Sequence, residues 1–208
     1  MSTSEPNGSS VSAAERFFRA YNIHCVTPDR DSLFNLLNAA HSLNDRLRKE
    51  FNADFFSLKE FIAIKALRNL FHHQDELLNE VRLVAAVNIP AIATDLLFLC
   101  VVRKSLVERA IAGIDVKRRS QQEPLVRAAL KWYGDVVNIN PCIFNFAVHV
   151  HERVMELDLG LDCPAYTKIQ ESYDFEERNG HAHFVSGNIS CRAGSVESVL
   201  KTLFADVV

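Results

Sequence analysis

Apolar residues recur at helical spacing through most of this chain. Between residues 27 and 51 they follow intervals of three and four positions, which match the 3.6-residue turn of an α-helix. The residues on this face are Leu33, Leu36, Leu37, Ala40, Leu43 and Leu47. Thr27 is a candidate helix cap and Pro28 suits a first helical position, so we expect the helix to begin there.

The same spacing predicts further helices along the chain. One begins at Ser57, because Ser57 and Glu60 have the spacing of a capping box, and it runs to about Leu83. Others are predicted over residues 12–24, 91–114, 123–137 and 140–160, with a closing helix over residues 195–204. Several helices joined by short connections are typical of a helical bundle.

The two ends of the chain depart from this pattern. Residues 1–12 consist largely of Ser, Gly, Asn and Pro, which predicts a disordered arm. Near the C-terminus, Asn179 and Gly180 stand between alternating stretches, which predicts a β-hairpin. We therefore expect an all-α protein. Its bundle of about six helices would span residues 13–160, and a hairpin-plus-helix appendage would follow over residues 161–208.

Composition limits the classes of function. The 208 residues are 48% hydrophobic and 24% charged, which is typical of a globular domain with a substantial core. The formal net charge is −3, which excludes a global basic field that would attract nucleic acid. Any contact with RNA would therefore have to be local.

Cysteine usage and hydropathy indicate a cytoplasmic protein. The five cysteines are odd in number and include no C-x-x-C pair, which favours free thiols in a reducing compartment. The N-terminus has neither the basic region nor the apolar core of a secretory signal. The longest apolar run, residues 89–102, is interrupted by Asp95 and is too short to span a bilayer. We expect a soluble protein with no membrane partner.

The predicted third helix carries one polar stripe on an otherwise apolar surface. The stripe residues, at positions i, i+3, i+4, i+7 and i+11, are Lys65, Arg68, Asn69, His72 and Glu76. His73 lies at the edge of this stripe. Residues at these spacings share one side of a helix, so two imidazoles, a guanidinium and a carboxamide are expected close together.

These side chains suit attack on a phosphodiester. Arginine offers a planar, permanently charged fork that matches phosphate oxygens. Histidine can accept or donate a proton near neutral pH. RNA carries its own nucleophile, the 2′-hydroxyl, so a base, an acid and a phosphate clamp suffice without a metal or cofactor. Two stripes facing each other across a dimer axis would serve both sides of the phosphorus.

The stretch "RNLFHH", Arg68–His73, resembles the RN-x-x-x-H signature of the HEPN superfamily. Members are small helical bundles that often act as metal-independent RNA endonucleases, and residues 30–110 resemble their core. The resemblance implies a homodimer that joins two motifs over one RNA-binding cleft. It also implies a toxin-like or stress-linked role, with a possible inhibitory partner protein.

The resemblance further implies roles for individual residues. Arg68 would stabilise the charged phosphorane, His73 would act as acid or base, and Asn69 would orient them. Many members pair the motif with a polar residue on an earlier helix, for which the stretch "HSLNDRL" offers two candidates. The candidate substrate-binding residues are therefore Lys65, His72, Asn44 and Asp45.

Other readings stay open. The same expression recurs at Arg178–His183, but a hairpin turn is expected there and the family motif needs a helix. A predicted basic loop, Lys117–Arg119, could contact an RNA backbone. His149 and His151 point about 200° apart on a helix and cannot share a metal, so no metal site is expected. The competing hypothesis is a non-catalytic helical interaction module whose stripe binds a partner or a second copy.

Overall fold

Three long helices open the fold: α1 (Gly8–Val26), α2 (Arg30–Phe51) and α3 (Lys59–His73). The structure is a computed structural model that describes residues 8–73, 81–88, 92–195, 197–199 and 201. Residues 8–12 were expected in a disordered arm, but they form the first turns of α1. The backbone N–H of Ser10 donates to Glu50 of α2 at 3.0 Å, which ties this end of the chain to the fold.

Helix α2 keeps the predicted apolar face but begins at a different cap. Asp29 is the N-cap, and its carboxylate accepts the Ser32 N–H at 2.6 Å while the Ser32 hydroxyl accepts the Asp29 N–H at 3.0 Å. The predicted start at Thr27 and Pro28 is therefore wrong. The Thr27 hydroxyl instead donates to the Ile23 carbonyl at the end of α1. The reciprocal pair satisfies two backbone donors that a single threonine could not.

The third helix is shorter than predicted. Nine of its fifteen residues are buried, as the apolar pattern indicates. The expected continuation to Leu83 is wrong, because Arg82–Ala85 forms strand β1. Residues 74–80, which include the predicted stripe residue Glu76, lie outside the described residues.

Residues 91–114 contain two strands where one helix was predicted. Strand β2 is Ile92–Thr94, strand β3 is Phe98–Arg103, and only Lys104–Ala112 forms a helix, α4. Strand β3 pairs antiparallel with β1, with Cys100 opposite Leu83. Every residue of β3 except Arg103 is buried. Periodicity alone cannot separate a strand buried on both faces from a buried helix, which is why the prediction failed.

Residues 123–137 also divide between two kinds of element. Helix α5 is Val116–Ala129, and it is followed by β4 (Lys131–Tyr133) and β5 (Val136–Asn138). Gly134, with φ of 63°, lies in the turn between these strands. The predicted helix over 123–137 therefore ends about halfway. Strand β5 also pairs with β3, giving a four-stranded antiparallel sheet in the order β1-β3-β5-β4.

The C-terminal region is helical where a hairpin was predicted. Helix α6 is Asn140–Glu156, with proline in its first turn as expected, and α7 is Pro164–Asn179. Gly180, with φ of 66°, is the left-handed cap of α7 and not a hairpin turn. Strand β6 (Ile189–Cys191) pairs with β2, almost a hundred residues earlier. Since α7 also packs on α1, this region is joined to the rest of the fold.

Helix α3 lies at the centre, in contact with α2, α4, α5 and α6. The ring of Phe146 on α6 lies 5.2–5.6 Å from the rings of Phe17, Phe55 and Phe61, so one aromatic cluster joins α6 to α1 and α3. The fold is mostly helical, and its four-stranded sheet means that the all-α prediction holds only in part. No helix in the described part of the chain has the length and apolar character needed to cross a membrane.

Candidate functional site

The RN-x-x-x-H residues lie on α3 between two surface recesses. The first, which we call the α2–α3 groove, has a volume of about 400 Å³. Its walls are Asn38, His41, Ser42, Asp45, Arg46, Lys49 and Arg68. The second, the α3–α4 cleft, has a volume of about 320 Å³ and is lined by Asn69 and His73 of α3 with Arg109 of α4 over an apolar floor. The motif is therefore divided between two recesses.

Arg68 is held in place by two carboxamides. Its Nε donates to Asn38 Oδ1 at 3.0 Å, and its Nη1 donates to Asn69 Oδ1 at 3.4 Å. Asn38 in turn donates from Nδ2 to the Phe34 carbonyl at 3.0 Å, which directs Oδ1 toward Arg68. A guanidinium has five N–H donors. These two bonds orient the fork and leave donors for an anionic ligand.

Asn69 connects the two recesses. Its side-chain oxygen accepts from Arg68, which lines the α2–α3 groove, while the residue itself lines the α3–α4 cleft beside His73. Asn69 and His73 are four residues apart and so share one side of α3. The orienting role expected of Asn69 is consistent with this position.

His41 and Asp45 form a pair in the α2–α3 groove. His41 Nδ1 lies 3.3 Å from Asp45 Oδ2, one helical turn away. Burial lowers the pKa of His41, the Asp45 carboxylate opposes this shift, and the Arg68 and Lys65 cations add to it. Asp45 was predicted from the sequence as a site residue, whereas His41 was not. The signal for it was the i,i+4 spacing of an imidazole and a carboxylate on the predicted second helix.

Lys65 is half-buried beside further positive charge. Its Nζ lies 4.6 Å above the ring of Phe56 in a cation–π contact. Burial lowers the pKa of Lys65, and the nearby cations Arg118 and Arg48 lower it further. Three helices, α2, α3 and α5, therefore bring cations to the same side of the molecule.

The two adjacent histidines occupy different surroundings. Both are exposed in the last turn of α3, and their rings meet edge to face with centroids 5.5 Å apart. His73 lines the α3–α4 cleft, whereas His72 is not among the residues that line either recess. Of the two imidazoles, His73 is thus the one that lines a recess together with Asn69.

Asn44 is a structural residue. Its side chain is completely buried, and its Oδ1 accepts the backbone N–H of Phe55 at 2.9 Å. Because it is buried, it presents no group at the surface, which argues against the substrate contact expected of it. The helical face explains the difference, since Asn44 lies beside the buried Leu43 and Leu47 whereas Asp45 is exposed.

Part of the predicted basic loop makes contacts within the fold. The predicted basic loop, Lys117–Arg119, is the first turn of α5. The Arg119 guanidinium donates to the carbonyls of Ala112 and Ile114 at 2.5 and 3.0 Å, which stabilises the end of α4. Arg118 remains exposed near Lys65.

The second RN-x-x-x-H expression does not form a helical motif. Arg178 and Asn179 end α7, and Gly180 stops the helix before His183. His183 stacks on Tyr173 with centroids 3.7 Å apart, and its Nδ1 lies 2.9 Å from the Glu176 carboxylate. The hairpin turn predicted at Asn179 and Gly180 is wrong, because these residues end a helix.

Among the described residues, no group of three or more His, Cys, Asp or Glu side chains is arranged to hold a metal. His149 lies 3.1 Å from Glu152, whereas His151 is buried against Tyr166 and Tyr173.

Comparison with known proteins finds no matching family model, no matching curated protein and no matching solved structure. Function is therefore inferred from the geometry of the recesses.

Proposed function

We propose that this protein is a cytoplasmic, metal-independent RNA endonuclease of HEPN type, with a toxin-like or stress-linked role. The observation that carries the proposal is the placement of Arg68, Asn69 and His73 along one helix, beside two recesses. The Arg68 guanidinium, held by two carboxamides, lines the α2–α3 groove, and the His73 imidazole lines the α3–α4 cleft. Asn69 accepts a hydrogen bond from Arg68 and lines the cleft beside His73. This arrangement supports phosphate chemistry because the cation is oriented before a ligand arrives.

The reaction needs only groups that the chain and the RNA supply. A base removes the proton of the 2′-hydroxyl, whose oxygen attacks phosphorus. The P–O bond to the 5′-oxygen breaks, and an acid donates a proton to that leaving oxygen. The products are a 2′,3′-cyclic phosphate and a 5′-hydroxyl. His73 would serve as acid or base, and Arg68 would stabilise the charge on the phosphorane.

The division of the motif between two recesses favours a composite site. Within one protomer, Arg68 opens on the α2–α3 groove and His73 on the α3–α4 cleft, on different sides of α3. A two-fold axis near α3 would bring Arg68 of one protomer toward His73 of the other. The proposed species is therefore a non-covalent homodimer.

The proposal is tested by RNA cleavage in excess EDTA. The wild-type protein should cut a mixed RNA pool and leave 2′,3′-cyclic phosphate ends, and Arg68→Ala or His73→Ala should abolish cleavage while the protein remains folded. The chain offers a matched control in Arg178→Ala and His183→Ala, which alter the second RN-x-x-x-H expression. Activity that survives both α3 substitutions would remove this mechanism.

Mixing the two inactive variants tests the composite site. With random pairing, about half of the dimers contain one Arg68→Ala and one His73→Ala protomer, and each of these has one intact site of two. Cleavage should therefore recover to about a quarter of the wild-type rate after subunit exchange. A persistent monomer by sedimentation, or no recovery on mixing, contradicts the shared site.

A specific observation favours a second candidate function. Both observed hydrogen bonds of Arg68 are internal, and the α3–α4 cleft has an apolar floor of alanine, leucine and isoleucine side chains. These features suit a non-catalytic module that binds a protein partner. Under this alternative the His73→Ala variant would lose a partner and would change no RNA, so the EDTA cleavage assay separates the two functions.

A further inference from the structure

The α2–α3 groove is a local exception to the charge of the whole chain. The formal net charge is −3, yet the groove presents Arg46, Lys49 and Arg68 against one carboxylate, Asp45. That carboxylate lies 3.3 Å from His41. Charge of one sign concentrated in a recess raises the local concentration of ligands of the opposite sign.

The two outer cations of the groove are accessible. Arg46 and Lys49 are exposed, and no carboxylate in the described part of the chain lies within salt-bridge distance of either. The nearby Glu50 accepts the Ser10 N–H; hydrogen bonds from Ser10 lower the pKa of Glu50, and the more distant Arg46 cation adds to this shift without forming an ion pair. Both cations are therefore available to a ligand without breaking an internal ion pair.

The inner wall of the groove adds oriented groups. Arg68 is fixed by Asn38 and retains N–H donors, and the Ser42 hydroxyl lies along the same wall. A planar guanidinium beside hydroxyl and ammonium donors matches the oxygens of a phosphodiester. An acidic protein side chain would need fewer donors than this wall presents.

Positive charge continues beyond the groove across α3. The cations Arg118 of α5 and Arg48 of α2 both lower the pKa of Lys65, with Asp45 opposing them, so positive charge extends from the groove to a third helix, α5. Extended cationic surfaces suit a polymer with repeated phosphates better than a single small anion.

We propose that the α2–α3 groove binds the phosphate backbone of single-stranded RNA, with Arg46 and Lys49 contacting phosphates next to the one at Arg68. The choice of RNA among polyanions rests on the proposed endonuclease function. The groove then holds the strand and delivers it to Arg68, and it does so without reading bases.

Binding of a non-cleavable strand tests this inference separately from catalysis. The probe is a labelled, fully 2′-O-methylated RNA of about 12 nucleotides, measured by fluorescence anisotropy in EDTA at about 50 to 200 mM salt. Arg46→Glu/Lys49→Glu should weaken binding at least about tenfold at the lowest salt. The slope of log affinity against log salt should fall by about 1.4, which corresponds to two phosphates.

A matched control carries the same change of net charge elsewhere. Lys168→Glu/Arg178→Glu alters two exposed cations of α7, and its affinity should stay within about twofold of wild type. The neutral variant Arg46→Gln/Lys49→Gln should show an intermediate loss, and circular dichroism should show that all variants are folded. Equal affinity of the groove and α7 double variants overturns the inference, as does a wild-type protein that does not bind.

The outcomes also separate this inference from the proposed function. If the protein binds the probe through the groove but does not cleave ordinary RNA, the binding inference is supported and the endonuclease proposal is wrong. If the protein cleaves RNA but its affinity for the probe does not depend on Arg46 and Lys49, the endonuclease proposal is supported and the binding inference is wrong. Tighter groove-dependent binding of inorganic polyphosphate than of the RNA probe would overturn RNA as the ligand.

Discussion

The α2–α3 groove and the α3–α4 cleft share one helix, α3, but they differ in the polarity of the side chains that line them. The groove is lined by charged and polar side chains and contains the His41–Asp45 pair. The cleft has a largely apolar floor with three polar groups at its edges. Asn69 is the residue that joins them, through its bond to Arg68. The contrast teaches that adjacency in a motif does not place side chains in one site, because each step along a helix turns by about 100°.

Acid should destabilise the packing of α1 on α2, the helix that forms one wall of the groove. The loss of folding stability is the largest effect that we expect. His24 of α1 lies 2.9 Å from Ser32 at the start of α2, and burial lowers its pKa to about 4. The unfolded chain binds the proton near pH 6.5 and the folded chain does not. Stability should therefore be highest above pH 6.5 and fall by about 3 kcal/mol as the pH drops toward 4.

Denaturant unfolding near pH 7 and near pH 4.5 measures this loss. The matched variant His24→Gln can still hydrogen bond to Ser32 but cannot titrate, so its stability should depend less on pH. His41 and the buried His151, whose pKa values are also lowered by burial, contribute to the remaining dependence, as do carboxylates such as Asp29 whose pKa is lowered by hydrogen bonds. An identical pH dependence in His24→Gln and wild type would contradict the assignment.

Arg68→Lys should separate positioned charge from charge alone. A lysine keeps the positive charge but cannot reproduce the fork that bonds to Asn38 and Asn69. We expect cleavage to fall about a hundredfold, the usual cost of losing one preorganised donor, while RNA binding weakens much less. Single-turnover rates and anisotropy on one preparation measure both. A variant with full cleavage would show that the carboxamide contacts are irrelevant.

Asn44→Ala should affect the scaffold of the groove and leave its ligand-facing wall intact. It removes the acceptor for the buried Phe55 N–H, so the free energy of unfolding should fall by about 2 kcal/mol. Affinity for the non-cleavable RNA should not change, because Asn44 is buried. Asn35→Ala, at an exposed position earlier on α2, is the control for stability. A selective loss of RNA affinity would restore Asn44 as a substrate residue.

Ala112→Leu should act on the cleft alone. Ala112 is an exposed cleft-lining residue at the end of α4, so a larger side chain fills space beside His73 without repacking the core. We expect cleavage to fall about tenfold and binding of the RNA probe to stay unchanged. Ala128→Leu, at an exposed position on α5, is the matched control. A parallel loss of binding would show that the two recesses form one ligand site.

Asp45→Asn should give the smallest change, and in the favourable direction. Removing the only carboxylate among the residues that line the groove raises its positive charge, so affinity for the RNA probe should rise about two- to threefold at low salt. The Asp45 carboxylate raises the pKa of His41, so this pKa should fall further in the variant. Histidine NMR titration measures the shift. A rise in the pKa would contradict the observed pairing.

Local patterns explain which elements the sequence predicted. The Leu33–Leu47 face of α2 is buried as its period indicates, and Pro141 marks the start of α6. The run Phe98–Val102 was misread because a strand buried on both faces has no alternation. Gly180 was misread because the same Asn-Gly pair suits a hairpin turn and a helix cap. In each error the local signal was compatible with two structures.

The sequence by itself determined that Arg68, Asn69 and His73 lie on a mostly buried helix, because helical period and spacing are local properties. Only the tertiary structure decided that Arg68 faces α2 and His73 faces α4. It also decided that His41 lines the groove together with Arg68, whereas Asn44 is buried. The physical reason is that these facts depend on which helices pack around α3, through contacts between residues far apart in the chain that no local pattern encodes.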